Sequence, residues 1–118
     1  MKAFEPADED ARLAALYAYE VLETPSEEIF DTFTSLAARF CETPIALISL
    51  VDRDREWLKS AFGMALREVS RGEALGAHAI LAEGIFQIPD TREDQRFADK
   101  PWVVGEPRAR FYAAVPLR

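Results

Sequence analysis

His78 is the only histidine and Cys41 the only cysteine among 118 residues, so any chemistry needing a base or a thiol has one of each. Acyl or group transfer by a side-chain nucleophile needs a base within hydrogen-bond reach. His78 stands between Ala77 and Ala79 with no motif around it, which reads first as a histidine partly buried and bonded to backbone, and second as a pocket residue. Cys41 has no second thiol, which excludes an intramolecular disulfide, a CxxC redox pair and a cysteine zinc site. The acid pairs Glu27-Glu28 and Glu93-Asp94 lack metal-ligand spacing; the first fits a helix cap and the second a solvated turn. Neither a GxGxxG nor a GxxxxGK[ST] phosphate loop is present. The expectation is therefore a protein without catalytic residues or metal ligands; an enzyme using His78 as base is the third choice, removed if replacing His78 leaves activity unaltered.

The aromatic residues carry more. Phe86, Phe97, Trp102, Phe111 and Tyr112 concentrate in the second half, around an irregular segment where a fold can enclose a concave apolar site. For any single ring, core packing is the competing role. Arg108 and Arg110 are surface charges first and anion binders second. The expected ligand-binding residues are His78, Phe86, Phe97, Trp102, Arg110 and Tyr112.

These side chains need a scaffold. The chain has 49% hydrophobic and 30% charged residues, material for one domain, 1–118. If compact it would expose about 6,500 Å² against about 19,000 Å² unfolded. Fourteen Lys and Arg against 21 Asp and Glu leave a net charge of −7, which repels phosphate backbones and anionic lipid, so nucleic acid is not an expected partner. No apolar run is long enough to span a membrane, and Met1-Lys2-Ala3-Phe4-Glu5-Pro6 lacks the texture of a signal peptide. A cytoplasmic location is expected.

Asp8 to about Glu20 repeats apolar residues at helical spacing, with Asp8 as a cap. This helix and a connector make up residues 1–23. Thr24-Pro25-Ser26-Glu27 combines a cap threonine, a first-turn proline and a third-position glutamate, predicting a helix start there. That helix would bury one stripe of Ile29, Phe30, Phe33, Leu36, Ala37, Phe40 and Cys41. Ile45 to Val51 is apolar at nearly every position, as in a central strand covered on both faces. Asp52 to Arg55 then turns into a hairpin strand, Glu56 to Phe62, ended by Gly63. A loop with Arg67, Glu68, Arg71 and Gly72 leads to a short helix from Glu73 to Leu81, closed by Gly84. Ile85 to Ile88 reads as a strand, Thr91 to Trp102 as turns and one-turn helices anchored by Phe97, Trp102 and Val103, and Arg110 to Val115 as a strand. The order predicts an α+β domain, an antiparallel sheet flanked by helices.

With those segments in place, the chain resembles the GAF family, specifically sensory GAF domains of bacterial signalling proteins. The resemblance rests on Arg12-Leu13-Ala14-Ala15-Leu16, Val21-Leu22-Glu23-Thr24-Pro25, Pro44 to Asp52 and Arg55-Glu56-Trp57-Leu58-Lys59. It continues through Ala77-His78-Ala79-Ile80, Pro89-Asp90, Asp94 to Asp99, Pro101, Arg110-Phe111-Tyr112-Ala113 and Pro116-Leu117. It implies a GAF-like, profilin-like domain for sensing or regulation, a small-molecule pocket beside the sheet, and helices used for dimerisation. It also implies an output signalling domain or a kinase or cyclase partner, and no catalysis.

The chain departs from the family in places. Where many similar sequences have a cysteine before Ala77-His78, this one has Gly76. Cyclic-nucleotide-binding members have an Asn-Lys…Phe…Asp-Glu signature, and there is no asparagine here. A bilin needs a pocket cysteine, and the reductase members need several. The cofactor is thus left unknown. The family also continues past Pro116-Leu117 with a strand and a helix, so the expected domain is C-terminally incomplete, with unpaired edges on two apolar strands. A shortened chain, a gap filled by another molecule, or a sheet closed by rearrangement would each account for that. A homo-oligomer covering those edges is expected. The alternative function is an interaction module whose pocket is filled by its own side chains and which assembles through the Leu13, Leu16 and Tyr17 face and the exposed sheet edges.

Overall fold

The computed structural model describes residues 2–117; Met1 and Arg118, the ends of the expected 1–118 domain, lie outside the described residues. Helices α1 (Glu9–Ala18) and α2 (Glu28–Cys41) precede a hairpin of β1 (Ala46–Val51) and β2 (Arg55–Phe62), then β3 (Glu68–Ser70). After these come α3 (Gly76–Ala79), β4 (Phe86–Ile88), a 3-10 turn (Thr91–Glu93), α4 (Pro101–Val104) and β5 (Tyr112–Ala114). The strands form two antiparallel sheets, β1-β2-β3 and β4-β5. The class is the expected α+β, but the sheet is divided.

Helix α1 is shorter than its spacing predicts, and Asp8 makes no side-chain cap. Tertiary contacts hold it instead. Leu13 is buried, Arg12 Nη1 donates to Val51 O at 2.6 Å, and the Tyr17 hydroxyl donates to Asp52 Oδ1 at 2.6 Å. Buried Glu9 accepts from Arg12 Nε at 2.8 Å and pairs with Arg71 at 2.7 Å. Burial pushes its carboxyl up, but Arg71 and Arg12 outweigh that, and it titrates below the ordinary value. Leu13 is thus buried within the fold, whereas Tyr17 stays exposed with its hydroxyl tied to Asp52.

The second helix starts later than predicted, at Glu28. Lys59, only 2% exposed, is the reason: its Nζ donates to Thr24 Oγ1 at 2.6 Å and Pro25 O at 2.7 Å, and pairs with Glu27 at 2.6 Å. Those acceptors tie the segment before α2 to the sheet, and Glu27 is extended (φ −126°, ψ 135°). The buried face of α2 is also not the predicted one. Thr34 and Ala38 are buried, while Ile29, Phe33, Leu36, Phe40 and Cys41 are exposed. The sheet presents a hydroxyl to the helix: Ser60 Oγ donates to Asp31 Oδ1 at 2.6 Å and lies 2.9 Å from Thr34 Oγ1. A polar partner therefore selects the Asp31/Thr34 side of α2.

Strand β1 is an edge strand, not a central one; of its residues only Val51 is buried. One edge of β1 and one edge of β5 are unpaired among the described residues. The β1–β2 register shifts between Ile48 and Ser49, opposite Ser60 and Leu58, leaving Lys59 as the extra residue of a bulge. Gly63 ends β2 with φ +84°, where a Cβ would run into the Pro44 carbonyl. β3, read from sequence as loop, adds three residues to the sheet by pairing with Arg55, Glu56 and Trp57. α3 spans only Gly76–Ala79, so its end lies well before Gly84. The accessible surface, 7795 Å², exceeds the roughly 6,500 Å² of a compact chain of this mass, in keeping with the bare apolar face of α2.

Candidate ligand-binding site

Five of the expected residues, Phe86, Phe97, Trp102, Arg110 and Tyr112, come from β4, β5 and the crossover between them. Pairing of Phe86 with Ala114 and Ile88 with Tyr112 sets the register. Phe86 and Tyr112 meet edge to face, centroids 6.2 Å apart, and Phe86 meets Phe97 likewise at 6.3 Å. His78, from α3, stands edge-on to Phe97 at 4.7 Å. Leu75, Ile88 and fully buried Phe97 form the centre, with Phe86, Trp102 and Tyr112 packed against it.

The crossover is shaped by a device used twice. Asp90 Oδ1 accepts from the Arg92 backbone N–H at 3.0 Å while its carboxylate grips the Arg92 guanidinium, and Asp94 does the same with Arg96. The Arg92 hydrogen bonds pull the Asp90 carboxyl down to about 2. The second copy of the device aims Arg96 at the cluster: its Cζ lies 4.8 Å from the Phe97 centroid and 5.9 Å from that of Phe86.

Five of the six expected residues are thus in one neighbourhood, but not all are available. Trp102 Nε1 donates to Glu73 O at 3.0 Å. Arg110, the sixth, makes no cation–π contact with the rings among the described residues and is tied to backbone instead; its Nη1 donates to Val103 O at 2.9 Å and to Ala109 O at 3.2 Å. Both side chains hold the crossover in place.

Sequence reading missed Glu56. Sitting in β2, 5% exposed, it accepts from Ser49 Oγ at 2.7 Å and from the Gly76 backbone N–H. Burial holds its carboxyl above the usual range despite those two donors. Tyr112 is raised too, first by burial and then by the Glu56 charge. A Cβ at Gly76 would meet the Glu56 carboxylate, so a larger residue there would force that side chain to shift. The available signal was Glu56 in a strand whose neighbours Leu58 and Val51 are apolar, since an acid at a core-facing strand position is a functional or strained site.

Two surface concavities lie elsewhere. One, of 380 Å³, opens between α2 and β2, where Asp31, Thr34, Ser60 and Arg67 face it; the other runs along α2 near Ser35 and Leu36. Among the described residues no group of three or more His, Cys, Asp or Glu is placed to hold a metal ion. No helix of the described residues is long and apolar enough to cross a membrane.

Residues 25–118 match the family model of the GAF domain. The chain belongs to the GAF domain family. It is also 41% identical, over 112 residues, to a cyclic di-GMP phosphodiesterase of Pseudomonas aeruginosa. That match covers 95% of this chain and 19% of the relative, so the chain spans about a fifth of the relative's length. A sensory or regulatory signalling domain, with mixed helices and antiparallel sheets, is what family and relative together support.

Proposed function

We propose that this GAF domain is the sensing part of a cytoplasmic bacterial signalling protein, binding a small molecule beside Glu56 and the aromatic cluster and passing the change to an output domain. What supports this is a buried acid, Glu56, bonded to Ser49 and to the Gly76 N–H at the start of α3, the helix whose His78 stands against the Phe97/Phe86/Tyr112 cluster. A buried carboxyl whose pKa is raised donates a hydrogen bond when protonated and attracts a cationic or donor group when ionised. The ligand this favours is small and flat, with an apolar ring face for the aromatics and one hydrogen-bonding group for Glu56 and Tyr112. The relative's name makes turnover of a cyclic dinucleotide the output to test first.

A second reading is favoured by complete burial of Phe97 and by the tied side chains of Trp102 and Arg110. In it the cluster fills its own pocket and the domain works through its surfaces. A thermal-shift screen of metabolites and nucleotides separates the two. Sensing predicts at least one compound that raises the Tm of the wild-type chain and fails to do so in Tyr112→Ala; no shift from any compound would favour the self-filled core.

A further inference from the structure

We propose that the cavity between α2 and β2 is a binding site for a small zwitterion, an amino acid whose ammonium and carboxylate are set apart by a short methylene chain. Its volume, 380 Å³, is that of a small-molecule site. Two opposite charges line it without neutralising each other. Asp31, on α2, and Arg67, on the loop joining β2 to β3, are both exposed, and neither has an ion pair among the described residues. The other cation at the cavity, Lys59, is already spent on Thr24, Pro25 and Glu27.

Each charge is held by groups that leave it available. Ser60 Oγ donates to Asp31 Oδ1 at 2.6 Å and lies 2.9 Å from Thr34 Oγ1, which donates to Asp31 O at 3.1 Å. Thr34 and Ser60 are each only 3% exposed, so two buried hydroxyls fix the carboxylate while its Oδ2 takes no hydrogen bond among the described residues. Arg67 stacks on Trp57, Cζ 5.3 Å from the ring centroid, and its Nη1 donates to Ser26 Oγ at 3.0 Å. A ring face and a hydroxyl orient this guanidinium without cancelling its charge, and most of its five donors remain. A ligand with one charge would leave Asp31 or Arg67 unanswered, and a phosphate ester would be repelled by Asp31. An α-amino acid carries both charges on one carbon, matching protein charges close enough to pair. Asp31 and Arg67 do not pair, so the ligand's charges are separated by methylenes, for which Met64 and Leu66 supply apolar wall.

This site is separate from Glu56 and the aromatic cluster, and neither needs the other. Amide NMR titration of the full chain with γ-aminobutyrate, butyrate and butylamine tests it, since the last two keep the chain and lose one charge each. γ-Aminobutyrate is expected to move the amides of Ser60, Met64 and Arg67 saturably, and to bind about tenfold more tightly than either single-charge compound. Arg67→Met should weaken γ-aminobutyrate about tenfold and leave butylamine unaffected. Asp31→Asn, which keeps an acceptor for Ser60, should weaken it about as much and leave butyrate unaffected. Both variants should keep the wild-type circular dichroism spectrum. No saturable binding at millimolar concentration, equal affinity for the three compounds, or shifts at Gly76, His78 and Tyr112 in place of the cavity amides would overturn the proposal.

Discussion

Glu56 and Lys59, three residues apart in β2, show how differently two buried charges can be treated. Lys59 has an acceptor for each of its three protons, whereas Glu56 has two donors and no cation. The Glu56 pKa is raised on folding, so between the ordinary value of 4.5 and the raised one the native state binds more protons than the unfolded state. Its contribution is most favourable below 4.5 and is lost as pH rises through the folded value. Glu56→Gln, which keeps an acceptor for Ser49 and Gly76, should therefore stabilise the domain by about 1–2 kcal/mol at neutral pH and by almost nothing in acid, measured by urea unfolding at both pH values. For Lys59→Met the prediction is the reverse: a loss of about 1–3 kcal/mol, since Thr24 and Pro25 lose a buried donor. Faster amide exchange should then appear at residues 24–27. The Glu27 pair adds little, because Glu27 is half exposed.

At the scale of elements, Gly63→Ala should cost more than about 1 kcal/mol in thermal unfolding, because φ +84° and the Pro44 carbonyl both oppose a side chain. Gly63 was legible in the sequence as a strand terminator, and so were the β1–β2 hairpin, β4, β5 and the short turns around Thr91 and Pro101, where punctuation is local. Less legible were features decided by a distant partner. The Thr24-Pro25-Ser26-Glu27 cap signal lost to Lys59, a residue 35 positions away from Thr24. The apolar stripe of α2 reads as its buried face, yet the structure buries Thr34 and Ala38 instead, because Ser60 presents a hydroxyl to Asp31 and Thr34. β3 has three residues and no alternation to read. Of the site, the rings were visible as a concentration of aromatics, but Glu56 and Arg96 were not, since only folding brings one against Gly76 and the other onto Phe97.

At the scale of the molecule, the proposed sensing rests on buried Glu56 and on the aromatic cluster around Phe97. Membership of the GAF family fixes the class of this account, and the relative's greater length leaves room in that protein for an output domain. The most direct test is a residue-resolved amide NMR titration with whichever compound shifts the Tm of wild type but not that of Tyr112→Ala. The account predicts chemical-shift changes at Gly76, His78, Phe97 and Tyr112, with Ser60, Met64 and Arg67 unmoved. Changes confined to Ser60, Met64 and Arg67 would place binding in the cavity between α2 and β2 and contradict a sensor built on Glu56 and the aromatic cluster.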